Sequence, residues 1–166
     1  GSLRIGYLTQ VDKIDDSLSI GQAVVGEGPE HEWATDPKIR DVLQGLLGDL
    51  DWSQQVGTLS GGQRRRVALA ALLAGDYDIV MLDEPTNHLD VGMVEWMEQF
   101  LNRENITLIL VTHDRYFLDT VCDEIWELDG SELHVYKGDY ENYLEKKTAR
   151  IESDKASVDK ARNLFR

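Results

Sequence analysis

Two short apolar runs constrain this chain more than any other feature. "YDIVMLDE" (77–84) and "ITLILVTHD" (106–114) each gather aliphatic residues without polar alternation. Such runs read as strands that are apolar on both faces. Between them, "VGMVEWMEQFLNR" (91–103) repeats its apolar residues at helical spacing. Buried strands alternating with helices predict a mostly parallel sheet covered on both faces, the α/β class. The flanking sequence continues the alternation. "LRIGYLTQ" (3–10) reads as a strand entering a polar loop. "TDPKIRDVLQGLLGDL" (35–50) reads as a helix, with Asp36 as N-cap, Pro37 in the first turn and Ile39, Val42, Leu43, Leu46 and Leu47 on one face. "GGQRRRVALAALLAG" (61–75) is a helix ending at Gly75, and "RYFLDTVC" (115–122) a short helix. "DEIWELDGSELHVYKG" (123–138) alternates around Asp129-Gly130, a hairpin signal.

Composition narrows the class of partner. A chain of 166 residues with 42% hydrophobic residues is long enough for one cored domain. No apolar run approaches the roughly 20 residues that span a bilayer, so no membrane insertion is expected. The single Cys122 forms no internal disulfide and fits a reducing, cytoplasmic compartment as a small buried residue. The net charge of −14 opposes gripping nucleic acid through its phosphates. That charge is uneven. Residues 141–166 carry seven Lys/Arg against five Asp/Glu, so the acidity lies in the first 140 residues. The change places a boundary near Gly138, with a first region 1–138 and a helical tail 139–166.

In open parallel sheets, ligands sit beyond the carboxyl ends of the strands. Here one strand ends in Asp83-Glu84 and the next in Thr112-His113. Adjacent carboxylates after a buried strand are either a solvated strand end or a nucleotide site. In the second case one carboxylate holds Mg²⁺ through water and the next polarises an attacking water. His113 is either structural or a donor to a terminal phosphate. "TLSGGQRRRVALA" (58–70) puts a serine and two glycines before a helix, which is either a cap or an anion site. The common phosphate-cradling loop G-x-x-x-x-G-K-[ST] does not occur in the sequence. Arg64, Arg65 and Arg66 raise the local positive potential, and at least two of them are expected on a solvated helix face.

Taken together, Gln10, "LSGGQ" (59–63), "IVMLDE" (79–84), "NHLD" (87–90) and "TH" (112–113) resemble an ABC-type ATPase cassette, whose fold is a P-loop NTPase core with a helical signature subdomain. The resemblance spans most of the chain. It implies Gln10 as the Q-loop glutamine near Mg²⁺ and the attacking water. It implies Ser60, Gly61, Gly62 and Gln63 as the signature loop, Asp83 as the Walker B aspartate and Glu84 as the catalytic glutamate. Asp90 would be the D-loop aspartate and His113 the switch histidine. The cofactors implied are ATP and Mg²⁺. The helical subdomain would cover about residues 11–75, and the Walker A loop would lie upstream of this chain. The signature loop of such a cassette closes over ATP held by a second cassette, which excludes water as it closes. The implied partner is therefore a second ABC cassette, and this chain alone is expected to bind Mg-ATP weakly and to turn it over poorly.

"NHLD", "THDRYFLD" (112–119) and "YKGDYENYLEKK" (136–147) are similar to the ABC-F group, soluble proteins with two cassettes on one chain, many acting on ribosomes. The resemblance implies ATP hydrolysis in translation, with ribosome or RNA contacts through the linker. In the tail, Leu144, Ile151, Val158 and Phe165 recur every seven residues, half a heptad seam. The tail is read either as the start of the interdomain linker after a first cassette or as a helix folding back on its own cassette. Only 49 residues separate Gln10 from Ser60, which leaves little room for an inserted arm. His31 and His134 lack Cys/His partners at ligand spacing, and no zinc site is expected. Two other readings stay open: the ATP-binding subunit of a membrane transporter, and a non-catalytic interaction module. Exposed apolar surface could also drive self-association.

Overall fold

The computed structural model describes residues 1–9, 13–28 and 33–165. By its internal packing the chain forms two units, Gly1–His113 and Asp114–Arg166.

The first unit is built on a three-stranded parallel sheet in the order β1-β2-β3. These strands are β1 (Ile5–Leu8), β2 (Ile79–Asp83) and β3 (Thr107–Val111). Ile5 pairs with Ile79 and Leu8 with Leu82, while Asp83 pairs with Val111. All three strands therefore end at the same edge. Between β1 and β2 the described residues include the helices α1 (Ile20–Val25), α2 (Pro37–Leu47) and α3 (Gly61–Ala74), with a short 3-10 turn at Val56–Thr58 before α3. One helix, α4 (Val91–Arg103), carries the chain from β2 to β3.

Helix starts follow local chemistry. Asp36 caps α2 by accepting from Lys38 N–H, and Pro37 occupies the first turn. Ser19 and Ser60 each form a reciprocal capping box with the glutamine three residues on. Val42, Leu46 and Leu47 bury one face of α2, while Ile39 and Leu43 are half-buried. Two ties bind α2 to its neighbours. Asp41 accepts from Trp96 Nε1 at 3.1 Å and from Arg103 Nη2 at 2.6 Å, both on α4. Asp49, just past α2, takes both terminal nitrogens of Arg66 on α3, at 2.6 and 3.0 Å.

The core lies on one side of the sheet. Val80 and Leu82 of β2 are buried with Leu8 of β1. Val67, Leu69, Leu72 and Leu73 of α3, and Met97, Phe100 and Leu101 of α4, are also buried. A small cavity bordered by Leu72, Leu73, Val80 and Phe100 marks where β2, α3 and α4 meet. Each large apolar side chain buried here contributes about 1.5–3 kcal/mol of transfer free energy. The opposite face differs from the sequence expectation of cover on both sides. Ile5 and Tyr7 are 55% and 64% exposed, and Val111 is 58% exposed. β3 is not the buried strand its apolar run suggests, because it lies at the sheet edge and pairs with β2 alone among the described residues.

The second unit contains α5 (Arg115–Val121), the antiparallel hairpin β4 (Glu124–Asp129) and β5 (Glu132–Lys137), and α6 (Tyr140–Leu164). Asp129 pairs with Glu132, so the two-residue turn is Gly130-Ser131 rather than Asp129-Gly130. Within that turn only Gly130 carries positive φ, +61°, a type II′ pattern that places glycine first. Asp139 caps α6 by accepting from Asn142 N–H. Glu127 of β4 is the hub between hairpin and α6. It accepts from Tyr143 Oη and, at 3.0 Å each, from Lys147 Nζ and Arg150 Nη2. Arg150 also meets His134 Nε2 at 3.0 Å, which gives that histidine a structural role. From Ile151 to Phe165 every residue of α6 and its C-cap is exposed, the seven-residue apolar series included. Cys122 is half-buried rather than buried.

Candidate active site

A parallel sheet whose strands end together brings Thr9, Asp83-Glu84 and Thr112-His113 to one edge. Gln10, the next residue after Thr9, lies outside the described residues, as does His31.

Glu84 is the centre of this edge. Its backbone is left-handed, with φ +49°, an unusual state for a residue with a side chain. Hydrogen bonds at its backbone and its carboxylate hold it there, among them one from Asn87 N–H to its C=O at 3.4 Å. Its N–H donates to Val111 C=O at 2.7 Å. Its C=O accepts from Arg65 Nη2 at 3.3 Å. Its Oε2 accepts from Thr112 Oγ1 at 3.3 Å. Its Oε1 accepts from His113 N–H at 3.0 Å and lies 2.5 Å from His113 Nδ1. The pair is asymmetric, for the Glu84 side chain is 16% exposed and that of His113 is 98% exposed. A carboxylate acting on Nδ1 fixes the imidazole orientation and leaves Nε2 facing outward. This pairing suits proton handling at a solvent-facing edge. Buried Pro85 follows directly and stiffens the exit from the strand. Asp83 ends β2 beside Val111 with half-exposed surface.

The Ser60 loop forms the start of α3. Ser60 Oγ accepts from Gln63 N–H at 3.2 Å, and Gln63 Oε1 accepts from Ser60 N–H at 2.9 Å. So the loop is a helix cap. It is also open: Ser60 and Gly61 are exposed, and a β-carbon on Gly61 would meet nothing within 4 Å. The start of this 14-residue helix is therefore exposed at Ser60 and Gly61, where its dipole favours an anion. Gly62 is different. A β-carbon there would sit 3.2 Å from Cβ of His88, a residue itself at φ +66°. Asp90 caps α4, its Oδ1 accepting from Met93 N–H at 2.8 Å.

The three arginines depart from the expected solvated face. Arg64 pairs with Asp16 and donates to Ile14 C=O at 3.2 Å. Arg66 is buried, donating to Leu46 C=O at 2.9 Å besides its bonds to Asp49. Arg65 donates from Nη1 to Thr9 C=O and from Nη2 to Asp83 C=O, both at 2.6 Å. Their targets are backbone carbonyls and remote carboxylates, which no local pattern encodes.

The structure therefore brings Glu84, His113 and Thr112 into one bonded cluster. The Ser60–Gln63 loop packs with His88, and Arg65 reaches from that helix to the strand ends. Thr112 and Arg65 are contributors that the residue types alone did not single out.

Comparison with known proteins adds the kinship. The sequence profile of the family described as ABC transporter matches residues 2–87, just over half of the chain. The chain belongs to the ABC transporter family. The matched segment holds Gln10, the Ser60–Gln63 loop, Asp83 and Glu84 of this ABC chain. Among curated relatives, the ABC transporter ATP-binding protein YfmR of Bacillus subtilis is 43% identical over 81% of this chain and 21% of its own length. The energy-dependent translational throttle protein EttA of Mycobacterium tuberculosis is 52% identical over 72% of this chain and 21% of its own. The chain thus spans about a fifth of the length of the curated relatives it matches. Among solved structures, it superposes with TM-score 0.69 on a chain of the complex of archaeal ribosomal stalk protein aP1 and ribosome recycling factor aABCE1. That match has 26% identity and covers 90% of this chain and 30% of the other. The α/β fold with a parallel sheet is that of ABC ATPase cassettes.

Proposed function

We propose that this chain is the catalytic edge and signature portion of an ABC-F ATPase cassette that hydrolyses ATP in work on ribosomes. The observation that carries the chemistry is Glu84, held at its backbone by Val111 and Arg65 and at its carboxylate by Thr112 and His113. On this reading Glu84 is the general base, His113 presents Nε2 to the terminal phosphate, and Gln10 orients water beside them. The donor set fits Mg²⁺. Among the described residues no three His, Cys, Asp or Glu side chains cluster to cage a metal alone. Mg²⁺ takes one or two carboxylates, with phosphates and water completing its shell. Asp83 would supply that carboxylate, and bound Mg²⁺ would neutralise charge on the phosphates.

Ser60, Gly61, Gly62 and Gln63 cap the phosphates of ATP carried by a second cassette, and Asp90 lies at the same junction. The open space beside Gly61 supports an approach from outside this chain. Residues 1–138 form the partial cassette, with its helical subdomain about 11–75, and residues 139–166 begin the linker. The translational role rests on the printed name of the EttA relatives and on the ribosomal complex among the fold relatives. A cytoplasmic location accompanies it.

The test uses the full-length protein carrying Glu84→Gln, held in ATP, and sedimented with ribosomes. Co-sedimentation is expected in low salt and should weaken steeply as salt rises, since each phosphate contact releases a counterion. Recovery only in a membrane pellet, bound to a permease and indifferent to salt, would make it a transporter subunit instead.

A further inference from the structure

We propose that Arg65 is a positioning residue that transmits the placement of the signature helix to Glu84. This inference rests on the reading of Glu84 as the base and of the Ser60 loop as a cap on phosphate brought from outside.

One guanidinium reaches the carboxyl ends of two adjacent parallel strands. Arg65 Nη1 donates to Thr9 C=O at 2.6 Å, at the exit of β1. Its Nη2 donates to Asp83 C=O at 2.6 Å and to Glu84 C=O at 3.3 Å, at the exit of β2. The carbonyls of Thr9 and Asp83 lie at or past the last sheet pairs of their strands and take Arg65 as donor, while that of Glu84 accepts from Arg65 and also from Asn87 N–H at 3.4 Å. A planar cation with forked donors can span them; a point charge cannot. Thr9 is also the residue from which the chain enters Gln10.

Glu84 is where such support matters most. A left-handed backbone in a residue with a side chain persists only where its surroundings over-determine it. Val111 grips the N–H side of Glu84, and Arg65 and Asn87 N–H hold the C=O side. Of these, Arg65 alone belongs to the helix whose first turn forms the signature loop. Between Gly61 and Arg65 the helix rises about 6 Å, with no break in its ladder. A force that seats Ser60 and Gly61 on a phosphate therefore moves Arg65 with them. The carbonyls of Thr9, Asp83 and Glu84 follow, and with them the direction of the Glu84 carboxylate. Arg64 and Arg66 do not share this role: they bond to Asp16 and Ile14, and to Asp49 and Leu46.

The experiment is a double-mutant cycle in the full-length protein, with single-turnover hydrolysis, steady-state kcat and KM, nucleotide affinity and thermal melts. Arg65→Met should lower kcat by about 10- to 100-fold, the scale of a slightly misplaced reacting group, with KM and nucleotide affinity held. Arg65→Lys should remain impaired, because one ammonium cannot bridge both strand ends. Added to Glu84→Gln, the Arg65→Met change should cost nothing further, since its effect passes through Glu84. If Arg65→Met does not fold, Arg65→Lys, which keeps the stem and charge, carries the same cycle. Unchanged kcat in a folded Arg65 variant overturns the proposal, as does full rescue by lysine. Losses that add in the double variant also overturn it, for they mark a general structural role. Full turnover in Glu84→Gln alone is a separate result: it overturns the reading of Glu84 beneath the proposal.

Discussion

Glu84, at a single residue, joins an unfavourable backbone to a fully engaged carboxylate. The two facts explain each other, because strain of about 1–3 kcal/mol is sustained only by bonds such as those from Val111, Thr112 and His113. Cys122 shows the opposite case, a reactive atom type held inert. Burial, with the nearby Asp123 and Asp119 carboxylates, pushes its thiol up from 9.0 to about 11. The thiolate is the nucleophile, so the group should resist alkylation near neutrality. Iodoacetamide labelling followed by mass spectrometry should be slow at pH 8 and accelerate toward about pH 11. Rapid labelling at pH 8 would contradict this environment for Cys122. A lone cysteine in a sequence suggests only a reducing compartment; the two flanking acids and partial cover decide its chemistry.

The helices act as elements through their caps and their arginines. Asp49 is held below its ordinary 3.8 by the hydrogen bonds from Arg66. A depressed carboxylate stabilises the fold above its unfolded pKa, and that contribution is lost as pH falls through the folded value. Replacing Asp49 by Asn should therefore cost about 1 kcal/mol at pH 7, a modest figure because the carboxylate is partly exposed. In urea titrations the gap to the unaltered chain should narrow below about pH 3.8. A gap independent of pH would remove the ion pair from the account of how α2 and α3 are joined.

These elements were legible where the signal is local. Asp36 and Pro37 announce α2, the Ser60–Gln63 box announces α3, and apolar spacing announces α4. Three features were not legible. An apolar run does not say whether its strand is central or lies at an edge, so β3 reads as buried and is half-exposed. A hairpin signal does not fix register, and one residue separates Asp129-Gly130 from the observed turn. Arginine bonds to backbone carbonyls many residues away leave no mark in the sequence, which is why Arg65 and Arg66 read as surface. At the site, the order of Asp83, Glu84 and His113 was readable, while the joining of Glu84 to His113 required the parallel register of β2 and β3.

For the whole molecule, apolar surface and charge decide what else it meets. Leu3, Ile5, Tyr7 and Val111 are exposed in the first unit, and Trp126, Leu128, Leu133 and Val135 form one exposed face of the hairpin in the second. Contiguous apolar patches of this kind promote association. Light scattering on this chain alone should show a mass that rises with concentration; a concentration-independent monomer would contradict that expectation. The net charge of −14 opposes nucleic acid at the acidic first 140 residues, so on the proposed reading any contact with RNA would fall to the mildly basic α6 tail. The chemistry proposed at the strand ends is separate from these surfaces. It is tested most directly by single-turnover hydrolysis in the full-length protein with Glu84→Gln, alongside nucleotide affinity. The account predicts retained ATP binding and a rate lower by about 10²-fold or more, the scale of a lost general base. Turnover equal to that of the unaltered protein would contradict it and move the base away from Glu84.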